Sequence, residues 1–519
     1  MNLKWEILTT IDKRIISFKE GYRQNLSVLG KDEDEINYLV EKYILNKKDP
    51  ELIYIHIDPL YHTSHQIFKN TLFMLLSQYL NITVSLDSLI YKTQNFFPST
   101  IEHAKKFLKT KPTKFLETLD LINKFINESG KKCILLIRKF SLLKEIFKDF
   151  GSSFSKFLAL QNRCMTILFD SYIEKAKKIL NDELNLLFGG FEILSLETSS
   201  FWSNYSYFNQ SLQPQKFNPH FIAFFIQHLK SNLFYYYLFT QKINEIRNSS
   251  TLSEKDIIFE AFKDLLFRRE SLLFQKFSHK LNILKERYRD YQDLIKILSL
   301  LSQGYLRKND LAFFLKIEQK QLIQKIKRLS EIEYIEVLGN ICKISDSLFS
   351  FWLSKVFELY LSYNFLDEIQ RIKIFKQTIE ETFSLFKEEF YREKTKKVLE
   401  LFSLFKDDIL VLKKQRLRFP LLKKVKIITY PEENSNLLIG EGKEIIIVEI
   451  KEGACKEKDI YRFIERSSLL KNRNLKRIYI YLGEIEDSVK LIAKKDKIIL
   501  WGKEELNELL RIYNKPIIL

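Results

Sequence analysis

The feature that constrains the fold most is a series of short apolar runs between residues 24 and 200. Stretches with helical spacing, such as residues 35–44 and 67–79, separate most of these runs. Apolar runs that are bounded by turns and alternate with helices predict a parallel sheet with both faces covered, and therefore an α/β domain. The five runs are Gln24–Leu29, Leu52–Ile57, Cys133–Ile137, Cys164–Phe169 and Phe191–Leu196.

The rest of the chain shows helical spacing first and strand-like runs at its end. Residues 215–290 and 350–415 have aromatic and apolar residues at helical spacing, which is typical of packed helices. Residues 424–519 return to strand-like runs. A chain of 519 residues with 45% hydrophobic residues exceeds what one core needs, so we expect two to four domains.

The charge balance favours an anionic partner. Lys and Arg number 84 against 66 Asp and Glu, a net charge of +18, and nucleic acid is the commonest partner of so basic a chain. The alternative is a lysine-rich protein with solvated charged faces. The four cysteines show no metal-binding spacing. With no apolar run near the roughly 20 residues of a membrane span, we expect a cytoplasmic protein without membrane contact.

The first apolar run ends at Gly30, and four consecutive carboxylates follow it, Asp32 to Glu35. A strand, a glycine and a helix start are the layout of a phosphate-binding loop, and the order of elements resembles the archaeal-type P-loop ATPases of the STAND and AAA-like group. That family follows its first strand with GxxxxGK[ST]. Here Gly30 matches the first glycine, but Glu35, Ile36 and Asn37 stand at the three last positions. The alternative register, with Gly30-Lys31 as the GK pair, also fails.

The resemblance implies a second motif, which this chain has also lost. The third strand of the family ends in an Asp that holds magnesium, whereas here Ile137 is followed by Arg138 and Lys139. Basic side chains do not bind magnesium, and acidic side chains after Gly30 suit a helix N-terminus better than a phosphate. We therefore expect neither ATP hydrolysis nor tight ATP binding.

Residues 291–345 have a pattern of three helices and a hairpin that resembles the winged helix following the ATPase domain in the same family. The helices are predicted at 291–302, 311–315 and 318–330, and the hairpin strands at 332–337 and 341–344. The alternative is a module that packs within the chain. The third helix is expected to present DNA-binding side chains, which are Gln319, Lys320, Gln324, Lys325, Lys327 and Arg328.

The C-terminal region resembles the PD-(D/E)xK nuclease fold that some members of this family carry. The matching residues are Asn436 on a first strand, followed by Glu449 and Lys451 on the next. The resemblance implies that positions 436 and 449 hold Mg²⁺ or Mn²⁺ while Lys451 orients water, with Glu400 as a further ligand. Asn436 replaces an Asp, which lowers metal affinity. We expect Glu449 and Lys451 on one face of their strand and Asn436 facing them across the hairpin.

These patterns define a domain plan and three functional hypotheses. The plan is a degenerate P-loop ATPase-like domain (1–210), a helical lid-like region (211–290), a winged helix (291–349) and a helical connector with the nuclease-like domain (350–519). The first hypothesis is a non-hydrolysing, DNA-associated or regulatory protein. The second is a metal-dependent DNA nuclease, and the third is a protein-interaction module. A separate group, His56, Asp58, His62 and His65, has metal-compatible spacing but is also typical of a strand end and its loop.

Overall fold

The structure is a computed structural model, and it divides into two compact units. One unit comprises residues 1–216 with 229–241, and the other comprises residues 217–228 with 242–519. The finer division into four domains stays a prediction. The structure describes residues 3–30, 32–46, 49–59, 62–184, 190–196, 201–212, 217–230, 232–249, 252–412, 415–441, 445–469 and 475–518, so Lys31 lies outside the described residues.

A five-stranded parallel sheet forms the centre of the first unit, as the apolar runs predict. Its order is β2-β3-β4-β1-β5, and every neighbouring pair is parallel. This α/β arrangement is consistent with a P-loop NTPase-like domain. The strands are β1 (Asn25–Leu29), β2 (Leu52–Ile57), β3 (Lys132–Arg138), β4 (Cys164–Asp170) and β5 (Phe191–Ser195).

Helices cover both faces of this sheet, because its strands have apolar side chains on both sides. Along β2, Ile53 and Ile55 enter one core while Leu52 and Tyr54 enter the other. The helices are α1 (Leu3–Glu20), α2 (Glu33–Asn37, continued by a π-helical turn over Tyr38–Ile44), α3 (Ser64–Leu80), α4 (Leu86–Thr93), α5 (Pro98–Thr110), α6 (Phe115–Ser129), α7 (Leu143–Ile146), α8 (Phe150–Leu160), α9 (Ile173–Asp182) and α10 (Phe201–Ser211).

The predicted helical region follows, and the division between the two units falls within it. Aromatic side chains at helical spacing fill its interior, for example Phe224 against Phe262 at 5.9 Å between ring centroids. The helices are α11 (Pro219–Leu229), α12 (Leu233–Ser249), α13 (Glu254–Phe262, continued by a π-helical turn over Lys263–Phe267) and α14 (Leu272–Arg287).

Three helices and a hairpin come next, in the predicted order. They are α15 (Tyr291–Ser302), α16 (Lys308–Leu315), α17 (Gln319–Glu331), β6 (Ile335–Leu338) and β7 (Ile341–Ile344). Helix α16 begins three residues before the predicted start at Leu311. The Lys308 N–H donates to the carbonyl of Asn340 at 3.1 Å, and this long-range bond satisfies one of the N–H groups at the start of the helix.

A second five-stranded sheet forms the C-terminal part, in the order β10-β11-β12-β13-β14. The first three strands are antiparallel and the last three parallel. The elements are α18 (Ser347–Trp352, then a π-helical turn over Leu353–Phe357), α19 (Glu358–Ser362), α20 (Glu368–Tyr391), α21 (Lys394–Ser403), β8 (Asp408–Leu412), β9 (Gln415–Phe419), β10 (Lys424–Tyr430), β11 (Ser435–Glu441), β12 (Ile445–Lys451), α22 (Glu457–Ser468), β13 (Leu475–Tyr481), α23 (Asp487–Lys495), β14 (Ile499–Trp501) and α24 (Lys503–Ile512).

No helix of the described residues is both long and apolar enough to cross a membrane.

Candidate functional sites

The turn between β1 and α2 is the place where a P-loop would hold phosphate. Asp32 is the N-cap of α2, and its Oδ1 accepts from the backbone N–H of Asp34 at 2.9 Å and of Glu35 at 3.4 Å. These are donors that a phosphate-binding loop leaves open for its ligand. The capping role expected of the acidic residues is therefore what the structure shows for Asp32.

Two of the carboxylates in this turn also bind the start of helix α12. The Asn232 amide donates to Asp32 Oδ2 at 2.6 Å, and the Leu233 backbone N–H donates to Glu35 Oε1 at 2.7 Å. Glu35 is 4% exposed. Its carboxylate therefore lies inside the unit, in a structural hydrogen bond, at the position where the ATPase family has the second glycine.

The end of β3 supplies the cations that balance these acids. Arg138 pairs with Asp58 at 3.3 Å, with Glu41 at 3.4 Å and with Glu33 at 3.9 Å. Lys139 also pairs with Glu33, and both basic side chains are buried. Acidic and basic residues thus neutralise one another at the carboxyl edge of the sheet, where the family has a magnesium-binding Asp.

Asp170, at the end of β4, is a buried carboxylate that the sequence analysis missed. Its side chain is fully buried and accepts from the backbone N–H of Ser141 at 2.8 Å and of Tyr172 at 2.9 Å. Burial raises the pKa of Asp170, against the opposing effect of these hydrogen bonds. An acidic residue that ends an apolar run was the available signal. The bonds show Asp170 holding the loops after β3 and β4.

In the group of His56, Asp58, His62 and His65, two members make contacts other than with a metal. His62 Nδ1 lies 2.7 Å from the backbone oxygen of Asp58, and the Asp58 carboxylate pairs with Arg138. Within the part of the chain that the structure describes, no group of three or more His, Cys, Asp or Glu side chains is placed to hold a metal ion.

The proposed DNA-binding side chains of α17 divide into two groups. Gln319, Lys320, Gln324 and Lys327 are exposed, and the pair that Lys327 makes with Glu331 at 3.8 Å is itself exposed to solvent. Lys325 instead pairs with Asp290 and, at 3.1 Å, with Asp293. Arg328 pairs with Asp290 at 2.7 Å. Binding DNA through Lys325 or Arg328 would break these ion pairs, so the exposed group is the better candidate for phosphate contacts.

The β6–β7 hairpin packs on strand β8 of the same unit. The Asn340 N–H donates to the carbonyl of Ile409 at 3.2 Å, and the Ile409 N–H returns a bond to the Asn340 side chain at 2.8 Å. Gly339 has a φ of +76°, and a Cβ there would overlap the Ile409 carbonyl. The hairpin tip is therefore a half-buried packing surface, which agrees with the intramolecular alternative for this part of the segment.

An ion pair beside the hairpin strengthens this packing. Arg307 donates through Nε and Nη2 to the two carboxylate oxygens of Asp408, each at 2.7 Å, and the Tyr513 hydroxyl donates to Oδ2 at 2.7 Å. Burial opposes ionisation of Asp408, which is 0% exposed, but these hydrogen bonds keep its pKa below the usual range.

The register of the β11–β12 hairpin contradicts the predicted nuclease ligand set. Glu449 and Lys451 are two residues apart on β12 and share a face, as expected. Asn436, however, pairs with Ile450, so its side chain lies on the opposite face of the sheet. It donates to the Thr395 hydroxyl at 3.0 Å. The expectation that Asn436 faces Glu449 is wrong by one residue of register.

Glu449 lies in a network of ion pairs centred on Arg466 of α22. Arg466 Nη1 lies 3.2 Å from Glu449 Oε1, and its Nη2 lies 2.8 Å from Glu433 Oε1. The same guanidinium lies over the Tyr430 ring at 3.6 Å. Lys451 pairs with Asp459 at 3.3 Å. An arginine thus bridges two carboxylates where a nuclease would hold a divalent cation.

The protonation of Glu449 reflects its burial. It is 1% exposed, and burial raises its pKa to about 7 in spite of the opposing Arg466 charge. The further ligand expected from the resemblance, Glu400, pairs with Arg392. Of the residues predicted for the nuclease-like site, Glu449 and Lys451 lie together, whereas the structure gives Asn436 and Glu400 other partners.

Comparisons with known proteins find similarity at the level of solved structures. No protein-family model matches the sequence, and no curated protein matches it. A Walker-type ATPase of Pyrococcus abyssi is 16% identical, with a TM-score of 0.44 over 66% of this chain and 93% of that one. The Aeropyrum pernix ORC2 protein with ADPNP and ADP is 8% identical, with a TM-score of 0.41 over 72% and 92%. The Aeropyrum pernix ORC1 protein in complex with DNA is 8% identical, with a TM-score of 0.34 over 68% and 92%. TM-scores below 0.5 do not assign an activity.

Proposed function

We propose that this chain is a non-hydrolysing, ATPase-like protein that associates with DNA. The observation that carries the first part is the internal use of the β1–α2 turn, where Asp32 caps α2 and Glu35 binds Leu233. A phosphate about 4 Å from one such carboxylate would be repelled by on the order of 4 kcal/mol at an effective dielectric of 20. No lysine stands at the family's position in this turn, because Ile36 occupies it.

Isothermal titration with ATP and magnesium tests this part of the proposal. We expect no binding heat for the wild type up to millimolar ATP. The control is Glu35→Gln, which keeps an acceptor for the Leu233 N–H but removes the charge. It should also fail to bind, because Ile36 supplies no cation. Micromolar, magnesium-dependent binding by the wild type would overturn the proposal.

DNA association is supported by the exposed residues of α17 and by the net charge. Lys320 and Lys327 are exposed, and the chain carries +18. Each lysine that contacts a phosphate contributes about 1 to the slope of log affinity against log salt. The proposal is therefore a weak, salt-dependent association with duplex DNA that lacks strong sequence preference.

Fluorescence anisotropy with a labelled duplex at several salt concentrations tests the DNA proposal. Lys320→Ala/Lys327→Ala should weaken binding and reduce the salt slope by about 2. Lys458→Ala/Lys494→Ala, on the exposed surfaces of α22 and α23, is the matched control and should leave the slope within error. An unchanged slope in the double variant, or an equal change in the control, would refute the assignment of this face.

Metal-dependent cleavage remains the second candidate function, favoured by the shared face of Glu449 and Lys451. The arginine that bridges Glu449 and Glu433 counts against it, because those carboxylates already have a cationic partner. Incubating supercoiled DNA with the protein and Mg²⁺ or Mn²⁺ should give no nicking above background. Nicking that Glu449→Gln abolishes would establish the nuclease instead.

A further inference from the structure

Strand β10 is an exposed edge of the C-terminal sheet. It stands first in the strand order and pairs on one side with β11 over seven residues, Lys424 to Tyr430. No other strand of the described residues pairs with its outer side. Every β10 residue except Tyr430 is exposed. A regular, exposed edge of this length offers its outer backbone groups to another extended chain.

The side chains of β10 alternate in a way that specifies a partner. Lys424, Lys426 and Ile428 lie on one face, and Val425, Ile427 and Thr429 lie on the other. Val425 is 40% exposed and Ile427 is 48% exposed. The segment 421–430 also includes exposed Lys423, and it contains no acidic residue. Over residues 424–427 the edge is therefore basic on one face and apolar on the other, and Ile428 follows the two lysines on the first face.

We propose that β10 is a docking edge for an extended peptide segment of a partner protein, in which acidic and apolar residues alternate. Such a strand would place its carboxylates beside Lys424 and Lys426 and its apolar side chains beside Val425 and Ile427. Opposite charges and β-branched pairs are both favourable neighbours across strands. Backbone hydrogen bonds supply the affinity, and the alternation supplies the specificity.

Electrostatics distinguishes this partner from two others. A second copy pairing through β10 would bring Lys423, Lys424 and Lys426 of both chains to one seam, and lysines on an edge strand oppose such self-association. Duplex DNA would match the lysines, but it offers no apolar strand for Val425 and Ile427. An acidic, alternating peptide satisfies both faces and the outer backbone.

The test measures, by fluorescence anisotropy, the binding of a labelled synthetic heptapeptide of alternating Glu and Val to the 519-residue chain. Two probes of matched length serve as comparisons. One alternates Lys and Val, and the other is the Glu and Val peptide with its central Val replaced by Pro. We expect binding of the first peptide only, weakening as salt rises, because the lysine peptide is repelled and proline interrupts the strand.

The β10 variant is Lys424→Gln/Lys426→Glu. Lys424 lies opposite Glu441 on β11, and a glutamate there would face another carboxylate. The charge at position 424 is therefore removed by Gln and not reversed by Glu. We expect about tenfold weaker binding of the acidic peptide, as two exposed cross-strand charge pairs allow. Lys458→Glu/Lys494→Gln, an equal charge change on the exposed surfaces of α22 and α23, should stay within about twofold.

Three outcomes would overturn the proposal. The first is undetectable binding of the acidic peptide, and the second is equal binding of the proline peptide. The third is equal weakening by Lys458→Glu/Lys494→Gln, which would indicate a general effect of charge. Duplex DNA binding lost in the β10 variant, without peptide binding, would identify a nucleic-acid surface instead.

Discussion

Replacing Glu449 by Gln should remove a pH dependence from the stability of the C-terminal sheet. Burial raises the pKa of Glu449 to about 7 from its ordinary value of 4.5. The folded protein therefore favours the protonated carboxyl of Glu449 more than the unfolded chain does. The stability that this group contributes is fully present below pH 4.5 and is lost as pH rises through 7. The two pKa values differ by about 2.5, which corresponds to about 3 kcal/mol of unfolding free energy at 1.36 kcal/mol per pKa unit.

The Gln side chain does not titrate, so Glu449→Gln should be insensitive to pH in this range. Near pH 5 the variant and the wild type should differ little. At pH 8.5 the variant should be more stable, by at most about 3 kcal/mol. Arg466 keeps its bonds to Glu433 in the variant, which limits the disturbance.

Hydrogen–deuterium exchange of the β12 amides, corrected for intrinsic rates, is the suitable assay because it reports on this sheet alone. The ratio of protection between variant and wild type should rise between pH 5 and 8.5, by at most roughly 100-fold. The control is Glu441→Gln, an exposed carboxyl on the neighbouring strand. The reasoning is refuted if the ratio stays constant with pH, or if the Glu441 variant shows the same rise.

Two further substitutions test the internal contacts that replace ligand contacts. Asp32→Ala removes the cap of α2 and should cost about 1 kcal/mol of unfolding free energy in urea denaturation, whereas Asp32→Asn, which retains an acceptor, should cost less. Arg307→Met leaves the buried Asp408 carboxylate without its cation and should cost about 3–5 kcal/mol. Arg307→Met/Asp408→Leu should recover most of that loss, and a double variant as unstable as the single one would contradict the ion-pair explanation.

The sequence by itself determined the elements and the absence of the family's nucleotide residues. The apolar runs of the first unit matched β1 to β5 within about two residues, because burial on both faces requires continuous apolar strands. The substitutions at Glu35, Ile36 and Arg138 could be read from the chain alone, since a phosphate loop requires particular residues at fixed spacing. The order of helices and hairpin in 291–345 followed equally from local periodicity.

Only the tertiary structure decided which side chains meet. Asn436 was assigned to the wrong face because the hairpin register was unknown, and a shift of one residue moves a side chain to the other side of a sheet. The partners of Lys325 and Glu449 could not be predicted from the sequence either. Asp290 lies 35 residues from Lys325, and Arg466 lies 17 residues from Glu449. Helical spacing shows which residues share a face, but an ion pair between elements depends on how those elements pack, which periodicity within one element does not specify.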